Sequence, residues 1–180
     1  MDIASSTIIG SLRTQPERTD PADVMERWLS PCDVALDVDL SNRRHALEVL
    51  AASLARLHAL DPEPVLRALW RRELVGSTAL GCGVAIPPAR IEGIREPAVV
   101  YLRAKTAIEF AAPDGKPVRH VIAIAVPVGG DPETHLELLA AIAAMLTDRS
   151  FRDGLVRAED ADAVRAAFTG FGRTAGASAA

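Results

Sequence analysis

The sequence predicts one α/β domain whose sheet is covered by helices on both faces. Its 180 residues are the length of a single domain. Short apolar segments of strand length alternate with longer segments whose apolar residues repeat at helical spacing, which is the pattern of α/β folds. The segment Val118–Val126 is apolar almost throughout, as expected for a strand that is buried on both faces.

The first half of the chain predicts one strand and two helices. Residues 34–38 alternate apolar side chains with polar or small ones, which favours a short strand. A helix is predicted at about Ser41–Leu60 with Ser41 as its N-cap, and Asp61-Pro62 opens a second helix that reaches about Leu74. The residues expected to face the core keep helical spacing: Ala46, Leu47, Leu50, Leu54 and Leu57, then Val65, Leu66, Leu69 and Trp70.

Glycines and prolines dominate the segment after the second helix. Gly76, Gly81 and Gly83 predict short extended pieces joined by turns. Gly81 and Gly83 also begin a dinucleotide-binding pattern, but Ile86 replaces its third glycine. In addition, Pro87-Pro88 stands where the phosphate-binding helix has to start. We therefore interpret these glycines as turn residues.

The second half predicts two strands and three helices. The strands are Pro97–Leu102 and Val118–Val126, and a helix at Asp131–Leu146 opens with the same cap-plus-proline signal. Two shorter helices are predicted at Phe151–Leu155 and Asp160–Phe168. On the longest of these helices, the residues predicted to share one apolar side are Leu136, Leu139, Ala140, Ala143 and Leu146.

All the predicted elements belong to one domain at residues 24–168. Residues 1–23 carry Ser, Thr, Pro and charged side chains without sustained periodicity, and we interpret them as an N-terminal extension. Residues 169–180 are mostly small and include three glycines, which predicts a flexible tail.

The composition excludes several classes of function. A net charge of −4 leaves no basic excess for the phosphate backbone of nucleic acids. The apolar runs are far shorter than the roughly 20 residues of a membrane-spanning helix, and the N-terminus has no signal-peptide pattern. Free thiols at Cys32 and Cys82 fit a reducing compartment. We therefore expect a cytoplasmic protein that neither binds nucleic acid nor inserts into a membrane.

The four histidines do not have the spacing of a metal-binding set. His135 has acidic neighbours at Asp131, Glu133 and Glu137, so a carboxylate–histidine metal site is one interpretation. Acidic residues that stabilise the first turn of a helix are the preferred interpretation. No nucleophile motif accompanies either cysteine. The sequence therefore predicts no metal and no cofactor.

Several motifs, in order along the chain, resemble one family. They are Arg72–Gly81 (RELVGSTALG), Gly83–Pro87, Asp114–Val118, His135-Leu136, and the closing residues Asp148, Phe151, Leu155 and Glu159–Ala161. Over about residues 24–168 the chain is similar to the type-2 enzyme IIA domains of the phosphoenolpyruvate-dependent sugar phosphotransferase system. The residues at 76–78 are most similar to the nitrogen-regulatory branch.

The resemblance implies a single α/β domain with a mixed sheet. It implies that members accept a phosphoryl group from a small histidine-containing carrier protein. Transporter-linked members pass this group to a sugar-specific IIB component, whereas nitrogen-regulatory members bind and control other proteins. The implied partner of this chain is therefore a protein, and the candidates are a phosphotransferase carrier, a transporter and a sensor kinase.

The chain departs from the family at the residue that carries the phosphoryl group. The family loop reads Ile-Pro-His-Gly or close to it, whereas this chain has Pro88 at the histidine position. A proline nitrogen is tied up in the backbone amide and has no lone pair to offer phosphorus. The resemblance therefore implies no catalytic residue at the usual site, and it leaves open whether the chain is an enzyme.

Residues around the missing acceptor are partly kept. Arg72 and His135 match the family's pocket arginine and second histidine, and Ser77 and Thr78 belong to the adjoining motif. We expect these four residues and Pro88 to form one binding pocket that is suited to an anion. The other nearby histidine, at position 120, is expected roughly 20 Å away, because it precedes a strand of about seven residues.

Three hypotheses of function remain. The preferred one is a regulatory pseudoenzyme of the nitrogen-regulatory branch, which takes part in signal transduction by binding a protein and is not phosphorylated at the usual site. The second is an active phosphocarrier that uses His135 as its acceptor. The third is a sensor that binds a small anion through Arg72 and His135.

Overall fold

The computed structural model describes residues 20–30 and 33–173, and the predictions for residues 1–19, Cys32 and residues 174–180 lie outside this part of the chain. The described residues form six helices and six strands. In chain order these are α1 (Pro21–Trp28), β1 (Val34–Val38), α2 (Arg43–His58), α3 (Pro62–Val75), β2 (Ala79–Gly81), β3 (Val84–Ala85), β4 (Pro88–Ile91), β5 (Ala98–Ile108), β6 (Val118–Pro127), α4 (Pro132–Thr147), α5 (Arg149–Arg157) and α6 (Ala161–Thr169).

The strands form one mixed sheet in the order β1-β5-β6-β3-β2, with β4 also paired to β6. β5 and β6 are antiparallel, whereas β1 is parallel to β5 and both β3 and β4 are parallel to β6. β3 and β4 therefore follow one another along the same side of β6, interrupted only by residues 86–87. The mixed α/β sheet implied by the resemblance is confirmed.

Helices cover both faces of the sheet, as predicted. One face packs against α2 and α3 through a core that includes Leu50 and Leu69. The other face packs against α1, α4, α5 and α6 through a core that includes Met25 and Ile142. Successive residues of β6 alternate between the two cores, which confirms the burial on both faces predicted from its apolar run.

The capping predictions hold for two helices and fail for one. Asp61 and Asp131 cap α3 and α4, and each side chain accepts a hydrogen bond from the amide two residues further on. The prediction of Ser41 as the cap of α2 is wrong, because Asn42 is the N-cap and its side chain accepts from the His45 amide at 3.0 Å. Serine and asparagine are about equally good caps, so the sequence alone does not separate these neighbours.

The face of α4 that packs against the sheet differs from the predicted one. Leu136 and Ala140 are exposed, whereas the buried residues are Leu138, Ala141, Ile142, Met145 and Leu146. Only Leu146 belongs to both sets. Apolar residues extend around most of α4, so more than one stripe satisfies the helical period, and the contact with the sheet selects the stripe.

Two element boundaries also differ from the predictions. β5 continues to Ile108 instead of ending at Leu102, because the residue that follows, Arg103, is buried in an ion pair rather than marking a polar end. At the N-terminal side, the predicted boundary at residue 23 falls inside α1, whose Ala22 is fully buried. Packing against the domain therefore begins by the first turn of α1.

Candidate functional site

A pocket of about 340 Å³ opens where the end of α3, the start of β4 and the first turn of α4 meet. It is lined by Ala68, Arg71, Arg72, Pro88, Ala89, Arg90 and His135. The pairing of β4 with β6 and the packing of α3 against β4 bring these elements to one place. The structure therefore brings together three of the five predicted pocket residues, namely Arg72, Pro88 and His135.

Three arginines make this pocket basic. Arg71 and Arg72 lie near the end of α3, and Arg90 lies in β4. Arg72 Nη1 donates to the carbonyl oxygen of Gly76 at 3.0 Å, so its guanidinium is tied to the backbone just beyond its own helix. Within the described part of the chain, no carboxylate lines the pocket. The walls therefore favour an anion, and guanidinium groups suit carboxylate or phosphate in particular.

His135 enters the pocket from the first turn of α4. Its side chain is half-buried, and its Nδ1 atom is buried with no hydrogen-bond partner among the described residues. Burial, with a smaller contribution from the positive charge of Arg90, lowers the pKa of His135. The imidazole is therefore neutral at pH 7, with an unshared electron pair on one ring nitrogen.

Pro88 occupies the start of β4 without disturbing the sheet. Its Cα pairs with Ile124 of β6, and the Ile124 amide donates to the Pro87 carbonyl at 3.1 Å. In a parallel ladder, Ile124 bonds to the two residues on either side of Pro88: its amide donates to residue 87, and its carbonyl accepts from the amide of residue 89. The nitrogen of residue 88 therefore points away from β6. The proline consequently costs no hydrogen bond of the ladder.

Ser77 and Thr78 do not line the pocket, in contrast to the prediction. Ser77 Oγ donates to the Phe110 carbonyl at 2.6 Å. Thr78 is buried, and its amide and hydroxyl both donate to Oε2 of Glu73, at 3.0 and 2.6 Å. Short polar side chains readily satisfy nearby backbone groups in this way. Both residues therefore use their side chains to hold the segment after α3 in place.

Sequence analysis missed Glu73, whose carboxylate organises this segment. The residue is 3% exposed, and its second carboxylate oxygen accepts from Arg43 Nη1 at 3.0 Å. The guanidinium of Arg43 also lies over the rings of Trp70 and Phe110, with Cζ 5.7 and 6.0 Å from their centroids. Glutamate is common on exposed helix faces. Its burial can therefore be recognised only once it is known which face of α3 packs against the rest of the domain.

The glycines at 81 and 83 form a turn, as the sequence predicts. Gly81, Cys82 and Gly83 all have positive φ angles, of 90°, 55° and 80°. The carboxylate of Asp114, which sequence analysis did not single out for this turn, accepts from the Cys82 amide at 2.7 Å. This bond and a second one from the Lys116 amide hold the pKa of Asp114 below its ordinary value. The turn is therefore fixed by a side chain from the β5–β6 connection.

His120 is nearer to the pocket than predicted, but its side chain is buried in the core. It is the third residue of β6 rather than preceding it. It lies four positions before Ile124, the partner of Pro88, which is about 13 Å along a strand. The ring is buried, with Nδ1 2.8 Å from Tyr101 Oη. Burial lowers the pKa of His120 to about 4. It therefore stays a neutral core residue.

Two features are absent from residues 20–30 and 33–173. No three side chains of His, Cys, Asp or Glu lie close enough together to hold a metal ion. No helix in this part of the chain combines the length and the apolar character that crossing a membrane requires.

Comparison with known proteins identifies similar chains. A family model described as "Phosphoenolpyruvate-dependent sugar phosphotransferase system, EIIA 2" matches residues 28–170. A protein of Pseudomonas aeruginosa named "Nitrogen regulatory protein" is 36% identical over 141 residues, which are 78% of this chain and 91% of that protein.

Two solved structures of known proteins have a similar fold. The crystal structure of Nitrogen Regulatory Protein IIA-Ntr from Neisseria meningitidis has a TM-score of 0.77 and 32% identity, covering 81% of this chain and 99% of that one. Enzyme IIAMTL of Escherichia coli, solved in complex with phosphorylated enzyme IIBMTL, has a TM-score of 0.67 and 23% identity, covering 79% of this chain and 97% of that one.

Proposed function

This chain belongs to the EIIA type-2 family of the phosphoenolpyruvate-dependent sugar phosphotransferase system, and from this we propose that it is a nitrogen-regulatory member that acts by binding a protein. In this proposal the chain is a regulatory pseudoenzyme that accepts no phosphoryl group at the usual site. It acts in the cytoplasm, where phosphoenolpyruvate is made.

The single observation that carries the proposal is Pro88 in the pocket beside Arg72 and His135. If Pro88 occupies the acceptor position, as the family motif implies, the pocket has the cationic walls of a phosphoryl site but no nucleophile at that position. An amide nitrogen without hydrogen or lone pair cannot form a P–N bond. The pocket then stays in one chemical state whatever the supply of phosphoenolpyruvate.

Exposed apolar side chains that adjoin the pocket residues in the sequence support a protein as the partner. Leu74 and Val75 come directly after Arg72 and Glu73, and they are 66% and 84% exposed. Leu136 follows His135 and is 63% exposed. Exposed large apolar side chains of this kind are available to contact a protein partner. The likeness to enzyme IIAMTL, which was solved in a protein complex, supports the same class of partner.

The nitrogen-regulatory assignment rests on relatives. Proteins named "Nitrogen regulatory protein" from Pseudomonas aeruginosa and Bradyrhizobium diazoefficiens are 36% and 34% identical to this chain. The Neisseria meningitidis structure carries the same designation. The matched region spans most of the length of each of these relatives, which supports a similar regulatory role for this chain.

A second candidate function is phosphotransfer through His135, and the neutral state of this ring favours it. A neutral imidazole has a lone pair that attacks phosphorus, whereas a protonated one does not. Arg71, Arg72 and Arg90 would balance the negative charge that the phosphoryl group brings. Burial of the Nδ1 atom counts against it, because only Nε2 is then left to react. The third hypothesis, a sensor of a small anion, would use the same three arginines to bind that anion.

Three measurements separate these functions: phosphoryl labelling, partner binding and phosphate binding. The protein is incubated with radiolabelled phosphoenolpyruvate and the general phosphotransferase components of the same organism. The regulator proposal expects no acid-labile phosphohistidine and no change in partner binding on adding phosphoenolpyruvate. Stoichiometric labelling that disappears in His135→Ala would replace the proposal with the phosphocarrier. The anion sensor would replace the proposal if inorganic phosphate bound saturably, if Arg72→Ala removed this binding, and if no protein partner were bound.

A further inference from the structure

The pocket that Arg72 and His135 line is basic, although the chain as a whole is acidic. The net charge of the chain is −4, yet none of the described carboxylates lines the pocket. Glu73, which directly follows Arg72, is buried and accepts hydrogen bonds from other residues. Glu133 and Glu137 are each two positions from His135, or about 200° round α4. A group that enters the pocket therefore meets arginine side chains that no lining carboxylate neutralises.

Two of the pocket arginines have no partner of their own. The side chains of Arg71 and Arg90 make no hydrogen bond and no ion pair with any other described residue. On α2 and α3, by contrast, Arg43, Arg44 and Arg67 each pair with a glutamate, at 3.0, 3.0 and 3.9 Å. The charges of Arg71 and Arg90 are therefore available to a ligand.

The exposure of the pocket arginines favours a ligand that carries several acidic groups. Arg71, Arg72 and Arg90 are all exposed residues. Because water screens an exposed charge, each ion pair made there is weak, and a single free anion gains little. Acidic side chains on one polypeptide bind together, since the first contact holds the others at a high effective concentration. An acidic segment of a protein meets this condition.

The face of α3 that carries two of these arginines continues into exposed apolar residues. Residues three and four positions apart are neighbours on a helix surface. Leu74 and Val75, both exposed, stand three and four positions after Arg71, and Val75 stands three positions after Arg72. Ala68, three positions before Arg71, lines the pocket. One face of α3 therefore runs from the pocket through the two arginines to two exposed apolar side chains.

We propose that this end of α3, together with the pocket, docks an acidic segment of the partner protein. Two or more carboxylates of that segment contact Arg71, Arg72 and Arg90, and a large apolar side chain beside them covers Leu74 and Val75. These five residues form the docking surface. Carboxylates match the planar fork of a guanidinium group, which gives the contact its specificity. The inference rests on the proposed function for the existence of a protein partner, and it adds the chemistry by which that partner is recognised.

A pair of synthetic peptides tests this chemistry on the full chain. The first has about twelve residues, or about three helical turns, in which aspartate and glutamate alternate with leucine and phenylalanine. The second has asparagine and glutamine in place of the acids. Each carries a fluorophore, and fluorescence anisotropy measures binding. We expect the acidic peptide to bind saturably and about tenfold more tightly than the amide peptide, because each exposed ion pair contributes a factor of roughly three. Its affinity should fall as the salt concentration is raised.

Three variants locate the binding surface. The double variant Arg71→Ala/Arg90→Ala should weaken binding of the acidic peptide about tenfold, since it removes two ion-pair contacts. Val75→Ser should also weaken it while leaving the charges in place, and the fold should be unaffected because Val75 is 84% exposed. Arg149→Ala is the matched control, because Arg149 is an exposed arginine of α5 that does not line the pocket, and this variant should bind as the unmodified protein does.

The docking surface is overturned if the amide peptide binds as tightly as the acidic one, or if a peptide with lysine in place of the acids binds more tightly. It is also overturned if inorganic phosphate or a single-stranded oligonucleotide binds more tightly than the acidic peptide. A loss in Arg149→Ala as large as that in the double variant would contradict the assigned location.

The results for the docking surface and for the regulatory function can be told apart. If His135 is labelled from phosphoenolpyruvate and the acidic peptide still binds, the regulator proposal fails and the docking surface stands. If no label appears and the acidic peptide does not bind, the docking surface fails and the regulator proposal stands.

Discussion

Thr78 gives two hydrogen bonds, one from its amide and one from its hydroxyl, to the same carboxylate oxygen of Glu73, at 3.0 and 2.6 Å. The other oxygen of Glu73 is bonded to Arg43 of α2. One buried side chain of α3 therefore fixes both the following loop and the neighbouring helix. The loop leads into β2, β3 and β4, so this contact helps to set where Pro88 lies.

The first prediction concerns Glu73. Glu73→Ala leaves the amide and hydroxyl of Thr78 and the guanidinium of Arg43 without their acceptor, and we expect the free energy of unfolding to fall by about 3 kcal/mol. Chemical denaturation measures the change. Glu48→Ala is the matched control, because Glu48 pairs with Arg44 on an exposed face, and it should cost less than about 0.5 kcal/mol. Equal losses in both variants would contradict the assigned role.

The second prediction concerns Pro88. Pro88→His places an imidazole in the pocket that Arg72 and His135 also line, and the backbone N–H that it restores points away from β6, so the sheet should be undisturbed. We expect weak, acid-labile labelling from phosphoenolpyruvate in the presence of the general components. Pro88→Ala, which has no nucleophile, should stay unlabelled like the unmodified protein. A well-folded Pro88→His variant without any label would argue against this position as the family's acceptor site.

The third prediction concerns pH. The pKa of His120 is lowered from 6.5 to about 4 by burial. Between these values the unfolded chain binds a proton on this ring that the folded chain does not, so the free energy of unfolding falls as the pH falls through this window. The contribution amounts to about 3 kcal/mol across it. His120→Gln should have a flatter stability profile from pH 6.5 to 4, as measured by urea unfolding.

The profile of His120→Gln should not become completely flat. Burial also lowers the pKa of His135, which acts in the same direction and remains in the variant. A variant whose slope equals that of the unmodified protein would show that His120 is protonated in the folded state.

The fourth prediction concerns Arg103. Its Nε and Nη2 bond to Asp37, and its Nη1 lies within hydrogen-bond distance of the carbonyls of Leu155, Val156 and Ala158 at the end of α5. Lysine cannot reproduce this fork, so Arg103→Lys should cost about 2 kcal/mol. Arg149→Lys, on an exposed face of α5, should change stability by less than about 0.5 kcal/mol. Hydrogen exchange should show which part loosens, and protection should fall most in α5.

The elements that the sequence predicts well are those with local signals. Asp61 and Asp131, each followed by proline, mark the starts of α3 and α4 correctly, because capping depends only on neighbouring residues. The apolar run of β6 identifies a central strand for a similar reason. The packing face of α4 is not local, since Leu136 and Leu138 are equally apolar and only the sheet decides which is buried.

The difference between local signals and signals that depend on the fold also explains which site residues the sequence predicts. The family motif names Arg72, Pro88 and His135, and the fold brings them to one pocket. Ser77 and Thr78 have the right residue types for a binding loop, but their partners, Phe110 and Glu73, are set by the fold. Glu73 and Asp114 carry no motif of their own. Their roles come from directions of side chains that only the three-dimensional arrangement determines.

The outward direction of the nitrogen at position 88 has an evolutionary consequence. Because no ladder bond depends on this nitrogen, proline and histidine are both compatible with the backbone there, and the remaining walls of the pocket are already in place. The genetic code connects the two residues by a single nucleotide change. Reversion from a proline codon that ends in a pyrimidine therefore needs only that one change and no compensating substitution in the strand.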